Sequence, residues 1–309
     1  MKKIGQSMHP NWVNGDLERL EEELQQFQDA GAQSCELVLN GLDVIIGARI
    51  IPVRLDAVIK LMRKFDMDYT LHMPHGLNLM DADNLEVNMK IFRETIEFVR
   101  AAGINVINYH AGMKRIDDKL RPDKGVGSSD SSENSEKPVL DSDTLIRNEI
   151  EQIKSLVKEA PDITFCMENA LFSTEPVISA MNSVASTIEF HKQVGFPNFK
   201  LTFDIGHNFL FNKGDKDTML SDLRQLLPYT GHIHLHDNCG IRADARDPFG
   251  FQRLIMGTGD IHLPLGWGSL PIEEALGLLD DYDGIVNLEI EQRFKSYYKD
   301  CIDTVRGYL

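Results

Sequence analysis

Short β-type runs alternate with longer amphipathic runs along almost the whole of this 309-residue chain. The strand-like runs are Lys3–Ser7, Ser34–Leu39, Tyr69–Met73, Asn105–His110, Thr164–Glu168, Lys200–Asp204, Gly231–His236 and Ile285–Glu289. Between them, apolar residues recur at helical spacing, as in Leu17, Leu20, Leu24 and Phe27, and again in Val87, Ile91, Ile96 and Val99. Gly31, Gly103 and Gly195 follow helical runs, where a C-terminal cap needs a residue tolerant of positive φ. A strand-then-helix alternation builds a parallel sheet. Eight such units predict an α/β fold, a (β/α)8 TIM barrel, as one domain over residues 1–309. A doubly wound open sheet would carry a glycine-rich phosphate turn after its first strand, and none is present.

Two stretches break the rhythm. Residues 124–138, mostly Gly, Ser, Asp and Glu, form a polar low-complexity insertion expected to be flexible. It follows the fourth strand and would hang over one mouth of the barrel, as a solvated insertion or as a lid. The segment Cys239–Leu270 is long for a compact domain and carries Arg242, Arg246 and Arg253, candidate grips for a phosphate or carboxylate.

Charge narrows the function. Lys and Arg total 32 against 48 Asp and Glu, for a formal net charge of −16. Proteins that grip duplex DNA present basic faces, so this balance favours a small-molecule partner over nucleic acid. Apolar runs such as Val44–Gly47 and Asp283–Leu288 are too short to span a bilayer, so no membrane partner is expected. The N-terminus lacks the apolar stretch of a signal peptide. Cys35, Cys166, Cys239 and Cys301 make no C-x-x-C pair and read as reduced thiols of a cytoplasmic protein. A homo-oligomer is left open.

Nine metal-binding residue types fall near strand ends: His75, His110, Glu168, Asp204, His207, His234, Asp260, His262 and Glu289. Equivalent ends of eight parallel strands converge at one mouth of a barrel. Glu168 closes an apolar strand, where a carboxylate must be paired or face solvent. In Asp-Ile-Gly-His, Asp204 leaves its strand and His207 sits one turn on. In His-Ile-His-Leu-His-Asp, His232, His234 and His236 share one face, with His234 the expected ligand and His236 or Asp237 in support. Glu289 and Glu291 both have the parity to face inward. Taken singly, each histidine reads as a hydrogen-bonded residue and each carboxylate as a helix cap. The joint pattern instead points to a divalent ion, with Zn²⁺, Mn²⁺, Fe²⁺, Co²⁺ and Mg²⁺ all admissible.

The segments Met-Glu-Asn at Glu168, Phe-Asp-Ile-Gly-His at Asp204, His-Leu-His-Asp-Asn at His234 and Leu-Glu-Ile-Glu at Glu289 resemble the xylose isomerase-like TIM-barrel superfamily. That group includes sugar phosphate isomerases and epimerases, inosose-processing enzymes and endonuclease IV. The resemblance implies a metal quartet of Glu168, Asp204, His234 and Glu289, with the two glutamates also handling protons. Asp260-x-His262-x-x-x-Gly266-x-Gly268, Pro-His75 and Tyr-His110 are similar to further ligand segments of endonuclease IV, which implies one to three ions.

Two functions follow. The first is a metal-dependent isomerase or epimerase of a small sugar, sugar phosphate or cyclitol, acting by proton transfer through a metal-stabilised enediolate. The alternative is an endonuclease IV-like multi-metal phosphodiester hydrolase. Against the alternative, His-Leu-His-Asp stands where endonuclease IV has His-Leu-Asn-Asp. A non-catalytic binding barrel is disfavoured by so many metal-type ligands.

Overall fold

The computed structural model describes residues 2–115, 142–169, 177–243 and 253–309. The insertion at 124–138 and Arg246 lie outside these residues. Eight parallel strands close a barrel: β1 (Lys3–Ser7), β2 (Ser34–Val38), β3 (Asp68–His72), β4 (Val106–His110), β5 (Thr164–Glu168), β6 (Phe199–Asp204), β7 (Thr230–Leu235) and β8 (Ile285–Leu288). Neighbours in sequence are neighbours in the sheet. Closure comes from β8 pairing with β1, Leu288 opposite Gln6. The single-domain TIM barrel read from the alternation is the observed architecture.

The main outer helices are α1 (Leu17–Ala30), α2 (Pro52–Met62), α3 (Leu85–Ala102), α4 (Ser142–Glu159), α5 (Val184–Val194), α6 (Lys216–Leu226), α7 (Ile272–Leu276) and α8 (Tyr298–Tyr308). In α1, Asp16 caps the first turn by accepting from the Glu18 and Arg19 amides. Leu20, Leu24 and Phe27 then turn one face inward, all fully buried. Each such side chain contributes about 1.5–3 kcal/mol by leaving water. Gly31 ends the helix at φ 89°, a conformation that favours glycine. Gly103 and Gly195 do the same for α3 and α5.

The hydrophobic core lies between strands and helices, where Phe92, Phe98, Phe165, Phe199 and Phe203 are buried. The lumen differs from the branched aliphatic filling usual in this fold. Glu36, Thr70, Asn108, Thr202, His232 and Asn287 are all buried and polar. Thr202 donates to Asn108 Oδ1 at 2.7 Å, and Asn287 Nδ2 donates to Ser7 Oγ at 2.6 Å. Two-residue strands at 114–115 and 177–178 form a small antiparallel ribbon joining the loops after β4 and β5. Among the described residues, no helix is long and apolar enough to cross a membrane.

Candidate metal centre

Strand register assembles the site. His110 and Glu168 are paired at the ends of β4 and β5. Asp204, last in β6, pairs with His234 of β7, which pairs with Asn287 of β8, so that Glu289 stands just above. Asp204 also caps the helix Ile205–Phe211: its Oδ1 accepts from the His207 amide at 2.7 Å, which sets His207 directly over it.

Asp260 and His262 come from the loop after β7, and Asp237 holds that loop. The buried Asp237 carboxylate accepts from the amides of Asn238, Gly266, Gly268 and Leu270 at 2.8–3.1 Å. Gly268 has no room for a side chain, since a Cβ there would fall 2.3 Å from Asp237 Oδ1. His262 has φ 42°, a strained conformation for this residue, kept by its ring contact: Nδ1 donates to the Glu289 carbonyl at 2.7 Å.

All nine expected residues meet at this mouth. His234 Nδ1 is 3.4 Å from Glu289 Oε1, 3.5 Å from Glu168 Oε1 and 3.9 Å from Asp204 Oδ2. His110 Nε2 is 3.4 Å from Glu168 Oε2, and the His75 ring lies against it with centroids 4.8 Å apart, at the exposed rim. His207 Nδ1 is 3.1 Å from Glu168 Oε1, while its Nε2 faces Asp260 Oδ2 at 3.2 Å. Glu291 does not join them; it is exposed at the rim of the adjoining cavity.

Four participants escaped the residue-by-residue reading or were given a lesser role. His72 ends β3 with Nε2 2.9 Å from Glu168 Oε2. Glu36, fully buried in the lumen, has His232 Nε2 at 3.1 Å and His234 Nε2 at 3.0 Å, and accepts from Thr70 Oγ1 and Asn108 Nδ2. A carboxylate in the apolar run Cys-Glu-Leu-Val is the same signal that marked Glu168. His232, deepest on β7, reaches Glu36 rather than the mouth. His236, taken only as support, stands in the site itself, 3.4 Å from Asp260 Oδ1.

The donors suit a divalent cation. Asp204 Oδ2, His234 Nδ1, His236 Nε2 and Asp260 Oδ1 are buried without hydrogen-bond partners, a costly state for polar atoms unless something else engages them. Burial alone would raise the carboxylates and lower the imidazoles. Mutual pairing reverses this. Asp204 is held down at about 2 by His207 and His236, and Glu168 lies well below its usual range beside His234 and His110. His234 is raised beside Glu289 and Glu36, and His262 sits at about 10 against Asp260. Protons on these rings supply the positive charge that a bound cation would replace.

A cavity of about 430 Å³ opens beside the cluster, lined by His72, His75, His262 and Glu289 together with Met8 and Trp12. This is the size of a small-molecule site. Arg242 does not face it as an anion grip: its guanidinium donates to the Leu210 and Phe211 carbonyls and stacks on the Phe211 ring.

The fold is a closed parallel barrel with imidazoles and carboxylates gathered at its strand ends, in groups that could hold a metal ion. The chain belongs to the xylose isomerase-like TIM barrel family, whose model matches residues 24–302. No curated protein matches the sequence. Among solved structures, a D-tagatose 3-epimerase-like protein is similar with a TM-score of 0.69 at 19% identity, over 99% of this chain and 97% of the other. D-psicose 3-epimerase from Clostridium cellulolyticum H10 has a TM-score of 0.69 at 16% identity, over 99% of both chains. The probable 3-DHS dehydratase of Bacillus anthracis has a TM-score of 0.66 at 17% identity, also over 99% of both. At these identities the likeness establishes the fold.

Proposed function

We propose that the protein is a divalent-metal-dependent isomerase or epimerase of a small sugar, sugar phosphate or cyclitol. The observation that carries this reading is the convergence on His234 Nδ1 of three carboxylates, Glu168, Asp204 and Glu289, within 3.9 Å. One imidazole and three carboxylates form a donor set for Zn²⁺, Mn²⁺, Fe²⁺, Co²⁺ or Mg²⁺. A bound cation would supply Lewis-acid polarisation of a substrate carbonyl, which acidifies the neighbouring C–H.

The chain's own residues do the rest. Glu168 and Glu289 come from β5 and from the end of β8 and approach His234 Nδ1 separately. One would remove the proton from carbon and the other return a proton to it, on the opposite face for epimerisation. His72 and His110 on Glu168, with Ser7 Oγ donating to Glu289 at 3.3 Å, hold the two carboxylates in place. The structural neighbours named as sugar 3-epimerases support this chemistry. Its test is solvent-deuterium exchange into a panel of ketoses, ketose phosphates and inososes with the metal-loaded protein. No exchange into any of them would remove the isomerase reading.

A second reading, multi-metal phosphodiester hydrolysis, is favoured by the grouping of His75 and His110 with His72 and by His207 and His262 around Asp260. Cleavage of an abasic-site duplex, lost in His262→Ala, would move it to first place.

A further inference from the structure

The cavity beside the metal centre is built where β8 closes on β1. Ser7, Met8 and Trp12 line it from the end of β1 and the turn beyond, and Glu289, Glu291 and Arg293 from the chain leaving β8. Glu289, a proposed proton carrier, therefore shares one space with a guanidinium four residues further along. Among the described residues, Arg293 is the only arginine that lines this cavity. Arg242 and Arg253, two of the arginines expected from sequence to grip an acidic group, do not line it.

The backbone that carries Arg293 is held at several points. The Glu289 amide donates to the Leu235 carbonyl at 3.1 Å, the Glu291 amide to the His262 carbonyl at 3.1 Å, and the Phe294 amide to the Glu291 carbonyl at 2.8 Å. The Ile290 carbonyl accepts from Gln6 Nε2 at 3.3 Å and faces His9 Nε2 at 2.7 Å. The other nitrogen of His9 lies 2.7 Å from Glu23 Oε1, so this one ring ties the turn after β1 to the segment after β8. Phe294 packs edge-on against Trp267 with centroids 5.4 Å apart. Only the side chain of Arg293 remains to be ordered, which keeps the entropic cost of using it low.

Its charge is also free for use. Arg19 donates to the Trp12 carbonyl at 3.0 Å and lies 4.9 Å from the centroid of that ring. Lys295 Nζ is 3.7 Å from Glu22 Oε1 and 5.9 Å from the Trp12 ring. Arg293 is exposed and has no ion pair or hydrogen bond among the described residues, and Glu291, on the same wall, lies beyond ion-pair distance. A guanidinium stays protonated at every physiological pH. In a chain with 48 acidic side chains to 32 basic ones, this one faces a cavity without a partner.

We propose that Arg293 is a specificity-determining residue, which binds a phosphate or carboxylate carried by the substrate. The proposal rests on the isomerase reading for the place of the reacting carbons, beside Glu289. From the substrates admitted by that reading it selects the acidic ones, sugar phosphates and sugar acids, over neutral sugars and cyclitols. The planar fork of a guanidinium matches two oxygens of either group at once. Met8, Pro10, Trp12 and Val38 supply apolar wall for the C–H faces of the sugar between the two ends.

The test is calorimetric binding to the Mn²⁺-loaded full chain of three probes on one skeleton: D-fructose, D-fructose 6-phosphate and D-fructuronate. In wild type at least one acid is expected to bind roughly 10–100-fold more tightly than D-fructose, the range for a charge-assisted hydrogen bond. That preference is expected to vanish in Arg293→Gln and to persist in part in Arg293→Lys, with Mn²⁺ content unchanged in both. Preference for the phosphate alone would assign a phosphate, and preference for fructuronate a carboxylate. Equal binding of the three probes, or failure to bind either acid, would overturn the proposal. So would a preference that survives Arg293→Gln, since the metal centre would then be holding the acid. Binding requires no turnover, so the two readings fail separately. Acids held through Arg293 without deuterium exchange into any sugar would remove the isomerase alone, and exchange without preference for the acids would remove this site alone.

Discussion

His234 Nε2 stands 3.0 Å from Glu36 Oε1, one layer below the mouth, while its Nδ1 faces Glu168, Asp204 and Glu289. The approach to Glu36 is oblique rather than along an ideal N–H axis. Even so, a lone pair on Nε2 facing a carboxylate at that distance would be repelled. The proton therefore belongs on Nε2 in the neutral ring, and Nδ1 is the nitrogen free to bind.

Replacing Glu36 with Gln removes the charge that enforces this tautomer. Affinity for Mn²⁺ or Co²⁺ at the quartet is expected to fall about 10–100-fold, as for other outer partners of metal-binding histidines. Metal titration of the two proteins measures it. Equal affinities would show that His234 needs no such partner.

Glu168→Gln and Glu289→Gln each remove a proton acceptor of the proposed reaction. Each is expected to lower deuterium exchange into an accepted substrate by roughly 10²–10⁴-fold. Since both are also proposed ligands, metal content is measured alongside. A variant that keeps its ion and its full exchange rate would not be a proton carrier.

Ion binding must displace protons. His262 is held at about 10 by Asp260, and His207 and His234 are likewise raised, so these rings carry protons at neutral pH in the metal-free protein. Ligation needs the neutral ring, so apparent affinity rises with pH, roughly tenfold per unit for each proton released, until about pH 10 for His262. Calorimetry of Zn²⁺ binding at pH 7 in buffers of different ionisation enthalpy is expected to show net proton release. Uptake would contradict the protonation pattern.

Glu149 of α4 is fully buried and accepts from the Gly112 amide at 2.6 Å. Burial raises its carboxyl to about 7. Below about pH 4.5 both folded and unfolded chains hold this proton, so it contributes nothing. Between about 4.5 and 7 the unfolded chain loses it first, and stability declines as pH rises. Above pH 7 the accumulated penalty is on the order of 3 kcal/mol. Glu149→Gln keeps an acceptor for Gly112 and is expected to be more stable than wild type at pH 8 but not at pH 4.5. Denaturant midpoints at both pH values check this; the same difference at each would exclude a titration effect.

The barrel was legible because it depends on local periodicity. Alternating strand and helix patterns, with glycine at three helix ends, are properties of short windows, and both Lys3–Ser7 and Thr164–Glu168 were found to the residue. That Glu168, Asp204, His234 and Glu289 gather at one mouth was legible for a related reason: strand ends converge in this fold wherever they occur in sequence. Contacts across the lumen were not. Glu36 meets His234 over a separation of nearly two hundred residues, and no spacing rule connects them.

His236 makes the same division within one motif. Its sequence neighbours placed it on the ligand face of β7, two residues past His234. Its partners come from elsewhere: Gly206 and His207 from the start of the helix after β6, Asp260 and His262 from a loop gathered by Asp237. Sequence by itself determined which side of the strand each side chain occupies, because that follows from local backbone geometry. Only the tertiary structure decided which side chains share a centre, because that depends on barrel closure and on where a long loop is pinned.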